Sequence, residues 1–191
     1  QYEGLEESPN IVYLGAAPSQ QIIPAVKWAH DNLGKQAYLV GSDYIFPRTA
    51  NEIIRDVIGA LEGEVVGEDY LLLGSTEVEA VVEAIVKAQP DYILNTLNGD
   101  SNLAFFTALR ERGISPRQIP TLSFSIAEPE LQQLGAERMA GDYAAWSSFE
   151  TVNSPANARF VENFRNVQSQ RYQSLTEGLP PPAERVLSDP M

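Results

Sequence analysis

Ala37-Tyr38-Leu39-Val40-Gly41-Ser42-Asp43-Tyr44-Ile45-Phe46-Pro47-Arg48-Thr49-Ala50-Asn51 is the stretch that decides the fold. Ala37-Leu39-Val40 with Tyr38 is a short apolar run, as a buried strand requires. The polar turn after it carries an aromatic pair, Tyr44 and Phe46. Ile53, Ile54, Val57, Ile58 and Leu61 then recur at helical spacing. A strand therefore ends at a loop from which a helix starts. Ligands of parallel α/β sheets collect in the crevice beyond the carboxyl ends of the strands. Tyr44 offers that crevice a flat apolar face and one hydroxyl.

The same alternation extends in both directions. Ile11–Leu14 reads as a strand and Gln21–Asn32 as a helix with Ile22, Ile23, Val26 and Ala29 inward. Thr49–Leu61 is the next helix, with capping-box spacing between Thr49 and Glu52. Glu64–Leu73 reads as a strand interrupted by Glu68 and Asp69. Thr76 and Glu79 repeat the capping box ahead of Val78, Val81, Val82, Ile85 and Val86, and Pro90 ends that helix. Tyr92-Ile93-Leu94 is a buried strand whose polar exit is Asn95-Thr96-Leu97-Asn98-Gly99-Asp100. Asp100 or Ser101 is the expected cap of the following helix. Ile119–Ser125 is a strand, Glu128–Leu134 a short helix, and Met139–Trp146 is extended. Ser154-Pro155 opens a last helix, which fades beyond Tyr172. Thr176–Ala183, with three consecutive prolines, is a loop or linker. Strands alternating with helices of this length predict a three-layer α/β/α lobe around a mainly parallel sheet of about five strands.

Composition narrows the function. The chain has 191 residues and a formal charge of -13, with 13 Lys and Arg scattered along it. Nucleic-acid binding needs those cations clustered, so it is excluded as a partner class. Cysteine is absent, which removes disulfides, thiol catalysis and Cys-based zinc sites. No apolar run reaches the ~18 residues of a membrane span, and no secretory leader is legible. His30 is the only histidine and falls on a helix far from the strand exits, so no Ser-His-acid set forms around it. Phosphate-binding glycine loops, G-x-S-x-G and H-E-x-x-H are missing. Glu128 and Glu130 are two apart on a helix and do not face each other; they read as solvated acids at its start. No metal site and no cofactor are expected.

The strand exits carry other chemistry. Ala16–Gln20, Ser42-Asp43-Tyr44, Asn95–Asp100 and Ser123–Glu128 converge at one edge of a parallel sheet. The Tyr44 and Ser125 hydroxyls and the Asn98 amide suit a neutral polar molecule. Only Arg48 offers itself as a clamp for an acid. Caps and turn residues have the same composition, and that plainer reading stands beside the functional one.

At these residues the chain resembles a known family. Tyr2-Glu3-Gly4-Leu5-Glu6, Ser8-Pro9-Asn10-Ile11-Val12-Tyr13, Gly15-Ala16-Ala17-Pro18, Gly41-Ser42-Asp43-Tyr44 with Phe46-Pro47-Arg48, and Asn95 through Asn102 are similar to the urea-binding proteins of ABC transporters. The amidase-regulating sensor of short aliphatic amides is a more distant likeness. The resemblance runs from Tyr2 to about Phe164 and resumes at Asp189-Pro190-Met191.

It implies a type I periplasmic binding protein, with two α/β lobes joined by crossover strands and closing on the ligand. Residues 1–15 would end the first lobe, and 16–146 would be the second lobe with its crossovers. Residues 147–175 would be a C-terminal helix, and 176–191 a loop and the start of a return to the first lobe. Residues 168–183 look like an insertion. By the same resemblance Tyr44 bonds the ligand's amide oxygen and Phe46 is an aromatic wall. Asn98 and Ser125 line the pocket, and the Gln1 backbone carbonyl faces a ligand nitrogen. The implied partners are urea or a short-chain amide and an ABC transporter permease, in a periplasmic or other extracytoplasmic setting. A sensor that reports amides to a partner protein is the alternative on the same fold. An amide-pathway enzyme is disfavoured by the single histidine and missing cysteine. The apolar Ile11, Val12 and Tyr13, normally packed on the first lobe, suggest self-association of the chain.

Overall fold

The structure, a computed structural model, describes residues 8–10, 12 and 15–175. Gln1, the expected strand at 11–14 and the Thr176–Ala183 loop lie outside the described residues, wholly or in large part. The described residues fall into two compact units that divide between Ser147 and Ser148.

The first unit is built on a five-stranded sheet in the order β2-β1-β3-β4-β5. The strands are β1 Gln36–Ser42, β2 Glu64–Leu71, β3 Tyr92–Thr96, β4 Thr121–Ser123 and β5 Tyr143–Ala144. Every pairing is parallel. The helices are α1 Pro18–Asn32, α2 Ile45–Ala60, α3 Glu79–Ala88, α4 Asp100–Glu111, α5 Glu128–Leu134 and α6 Ala136–Met139.

Strand alternation splits the core into two layers. Ala37, Leu39, Tyr92 and Leu94 face Ile22, Val26 and Ala29 of α1 and Ala50, Ile54 and Ile58 of α2. Tyr38, Val40 and Ile93 face the other way, onto Val81, Val82 and Ile85 of α3 and Phe105, Phe106 and Leu109 of α4. β1 and β3 are covered on both faces, which is why their sequences read as nearly unbroken apolar runs. The expected three-layer α/β/α lobe with a parallel sheet is what the chain forms.

The edge strand β2 shows how charge is accommodated. Glu68 and Asp69 were expected to interrupt it, yet it runs through them, because an edge strand leaves room for polar partners. Glu68 pairs with Arg55 and accepts the Tyr70 hydroxyl, and Asp69 accepts the Tyr38 hydroxyl. The Tyr38 ring passes over Gly67, where an added Cβ would lie 2.2 Å from the ring. At the amino edge, Asp91 accepts the Lys35 and Gln36 N–H groups at 2.7 and 2.8 Å.

Several helix starts differ from the sequence expectation. α1 begins at Pro18, ahead of Gln21. α2 begins at Ile45, four residues before Thr49, so Thr49 and Glu52 lie inside the helix and form no capping box. Pro47 sits in its first turn, where a missing N–H costs nothing. The N-cap of α3 is Val78, without a side-chain bond, and Ser75 instead accepts the Glu77 N–H at 3.2 Å. The N-cap of α4 is Gly99 at φ 63, ahead of Asp100 and Ser101. That left-handed backbone excludes most side chains at the position. Met139 ends α6 rather than starting an extended run.

A part-buried ion pair closes the sheet's far side. Arg110 of α4 and Asp142, just before β5, are part-buried residues whose side chains are 9% and 5% exposed, and Asp142 also accepts the Thr121 N–H at 2.8 Å. Desolvation by burial pushes the Asp142 carboxyl up to about 6, against the opposing pull of Arg110.

The second unit carries α7, Pro155–Leu175. Ser154 caps it as expected, accepting the Asn157 N–H at 3.1 Å. The Asn157 side chain donates to the carbonyls of Phe149, Glu150 and Val152 at 2.9, 3.0 and 2.9 Å, and Arg165 pairs with Glu150.

Candidate functional site

The strand order fixes where a ligand would sit. The chain steps from β1 outward to β2, then returns to β3 on the other side of β1 and continues to β4 and β5. The direction of winding therefore reverses between β1 and β3, and the crevice of such a sheet opens at their carboxyl ends. Those ends are Ser42-Asp43-Tyr44 and Thr96-Leu97-Asn98.

The β1 exit is held tightly. Asp43 N–H donates to the Leu71 carbonyl at 2.6 Å, and Tyr44 N–H to that of Ser42 at 2.9 Å. Tyr44 has an extended backbone and is the N-cap residue of α2; its side chain makes no cap. Its ring, half-buried, is therefore free to face the crevice. Burial raises its phenol above the ordinary range; a phenol is protonated at neutral pH and can donate. Phe46 lies in the first turn of α2 rather than on the loop. It is half-buried against the α1–α2 core layer, with its ring centroid 6.5 Å from that of Tyr44.

Arg48, the one candidate for an anion clamp, is engaged. Its Nε donates to Asp43 at 2.7 Å, and its guanidinium lies 4.2 Å from the centre of the Tyr70 ring. That bond holds the Asp43 carboxyl below its usual range. Arg48, Glu52, Arg55, Glu68 and Tyr70 line a shallow cleft of about 350 Å³ outside β2.

The β3 and β4 exits are joined to each other and to β1. Asn98 N–H donates to Ser42 Oγ at 3.0 Å, and Asn98 Nδ2 to the Thr96 carbonyl at 3.1 Å. The Ser125 hydroxyl donates to the Leu97 carbonyl. A carbonyl only accepts, so the Ser125 proton is spent and its lone pairs remain. Asn98 and Ser125 are half-buried at the ends of β3 and β4. The structure thus places Tyr44, Asn98 and Ser125 at the carboxyl edge of β1, β3 and β4, as expected from the strand exits.

A larger cleft of about 590 Å³ lies at the start of α1 and the exit of β5. Gln20, Gln21, Pro24 and Ala25 line one side and Ala145, Trp146 and Ser147 the other. Gln21 Nε2 bridges the two sides, donating to the carbonyls of Phe124 at 3.3 Å and Ala145 at 2.6 Å. Among the described residues no group of His, Asp and Glu side chains could hold a metal ion, and no helix is long and apolar enough to cross a membrane.

Sequence reasoning placed polar residues at the strand exits without showing which of them lie beneath the site. Ser42, Asn95, Thr96, Asn102 and Ser123 are all buried polar groups. The legible signal was Asn95, which follows an apolar strand run without a turn. Glu128 is also buried, where a solvated acid was expected.

The sequence profile of the periplasmic binding protein domain matches residues 1–178. The chain belongs to the periplasmic binding protein family. Solved members share its fold. A solute-binding protein of an ABC transporter from Rhodopseudomonas palustris HaA2, in complex with p-hydroxybenzoic acid, superposes with a TM-score of 0.76 at 24% identity, over 84% of this chain and 44% of that one. One from R. palustris in complex with 4-hydroxybenzoate gives 0.75 at 24% identity, over 83% and 44%. A leucine-, isoleucine-, valine-, threonine- and alanine-binding protein from Brucella ovis gives 0.70 at 15% identity, over 81% and 40%. The chain spans less than half the length of these periplasmic binding proteins.

Proposed function

We propose that the chain is the second lobe of the solute-binding component of an ABC uptake system, acting in the periplasm. It captures urea or a short-chain amide against a first lobe and delivers it to the permease. No chemical step is involved. Closure is driven by ligand contacts that exist only when both lobes reach the ligand.

The donor–acceptor polarity of the strand exits carries this reading. Ser125, its proton given to Leu97, can only accept. The Tyr44 phenol, protonated at neutral pH, can donate. Arg48 is held by Asp43. A ligand matching that set offers both a carbonyl oxygen and N–H groups and carries no charge; urea and small amides fit. A carboxylate has no N–H to give Ser125. It would also need a counter-cation, and Arg48 already answers the Asp43 carboxylate through Nε.

Calorimetric titration of the natural full-length protein with urea, acetamide and 4-hydroxybenzoate tests the reading. Heat from urea or acetamide and none from 4-hydroxybenzoate supports it. Binding of 4-hydroxybenzoate alone overturns it.

A further inference from the structure

We infer that Asn95 and Asn102 are positioning residues for the candidate site: a buried amide pair that holds both main-chain polar groups of Leu97 and so fixes where Asn98 and Ser125 meet a ligand. This rests on the site proposed above.

The pair's geometry is fully determined. Asn95 Oδ1 accepts the Leu97 N–H at 2.9 Å. Its Nδ2 must then point the other way, where it donates to Asn102 Oδ1 at 2.9 Å and Ser123 Oγ at 3.0 Å. Asn102 Nδ2 donates to the Leu97 carbonyl at 2.9 Å. Main-chain groups at each end dictate both amide orientations, so neither side chain can flip. Both residues are 0% exposed.

Leu97 is consequently held by three side chains, since its carbonyl also receives the Ser125 hydroxyl. The residue that follows, Asn98, leaves this clamp directly into the crevice. Asn102 thus acts on the site twice. It sets the path of the chain into Asn98, and it shares with Ser125 the carbonyl that aims the Ser125 lone pairs. An aspartate at 102 would set a second acceptor against that carbonyl, and an apolar residue would leave it with one donor fewer. Neither alternative keeps the clamp, because a buried network pays off only when every member is satisfied.

The test has two arms. Hydrogen exchange on the present chain needs no ligand. In Asn102→Ala the Asn98 N–H should exchange at least tenfold faster than in wild type, while the ladder amides of β1 change by less than threefold. Equal acceleration of both, or no change at Asn98, overturns the inference. Should Asn102→Ala not fold, Ser123→Ala, which removes one partner of Asn95, should show the same local effect in smaller measure.

The second arm is a double-mutant cycle in the full-length protein, read by urea or acetamide affinity. Asn102→Ala should weaken binding about tenfold, and Asn98→Ala should cost at least twofold less in that background than in wild type, because part of the Asn102 effect runs through the Asn98 side chain. Losses that multiply overturn the inference. Wild-type protein that binds neither ligand contradicts the functional reading alone, and exchange at Asn98 then decides the positioning role by itself.

Discussion

The main-chain N–H of Asn98 donates to Ser42 Oγ at 3.0 Å, tying the exit of β3 to the exit of β1. This bond crosses the point where the sheet reverses its winding. It makes one rigid rim of two loops that are 56 residues apart in sequence. Ser42 is fully buried and Asn98 half-buried, so the acceptor side of the bond is shielded from water.

Ser42→Ala should therefore destabilise the lobe by about 0.5–1.5 kcal/mol, the worth of a hydrogen bond to a half-buried main-chain donor. Guanidinium unfolding followed by circular dichroism measures it. A loss below 0.3 kcal/mol, on the scale of ~0.5 kcal/mol seen for neutral surface changes, would mean the rim does not depend on this bond.

Tyr44→Phe keeps the ring and removes the donor. Affinity of the full-length protein for urea or acetamide should fall about threefold to tenfold, from a lost hydrogen bond of about 0.5–1.5 kcal/mol. Tyr44→Ala should cost more, since the wall goes as well. Unchanged calorimetric affinity in Tyr44→Phe would make Tyr44 a packing residue.

The Asp142 carboxyl gives a pH signature of known sign. Its folded value, about 6, lies above the ordinary 3.8. Between those two values the folded chain holds more protons than the unfolded one. This group's contribution to stability thus falls as pH rises from about 4 through 6, and is regained on acidification. Carbon-detected NMR should place the Asp142 midpoint near 6. A midpoint below 4 would show that Arg110 outweighs desolvation. Asp142→Ala removes the counter-charge of a part-buried guanidinium that keeps its bonds to the Arg138 and Ile114 carbonyls, and should cost about 1–3 kcal/mol.

Gly67→Ala would put a methyl 2.2 Å from the Tyr38 ring. The ring must move and lose its bond to Asp69. A loss of about 1–3 kcal/mol is expected, as for overpacking elsewhere. Thermal unfolding at neutral pH checks it, and a change under 0.5 kcal/mol would show that β2 can shift at no cost.

The architecture was legible because the physics behind it is local. Alternating short apolar runs and amphipathic periods such as Val78–Val86 dictate a parallel α/β sheet, and the strand exits follow from it. Helix starts were less legible. Thr49 with Glu52 and Thr76 with Glu79 have capping spacing, but packing placed the starts at Ile45 and Glu79, the first with Pro47 in its opening turn. Of the buried polar layer under the site only the positions at the strand exits were legible, and their bonds to one another were not. Asn95, Asn102 and Ser123 are seven and 28 residues apart along their bonds to Asn95, and only the folded sheet brings them together. In sequence Arg48 is the one arguable basic clamp at exits that otherwise lack one. The fold turns it onto Asp43 and Tyr70.

Acetamide and acetate are nearly the same size, and they differ by an NH₂ against a charged oxygen. Their comparison isolates the N–H that Ser125 is set to accept and the charge that Arg48 is not free to meet. Calorimetric titration of the full-length protein with both ligands, in one buffer at pH 7.5, is the direct measurement. Acetamide should bind at least ~100-fold more tightly than acetate, a difference of roughly 2.7 kcal/mol. Acetate binding as tightly as acetamide, or more tightly, would contradict the assignment of this edge to a neutral amide ligand.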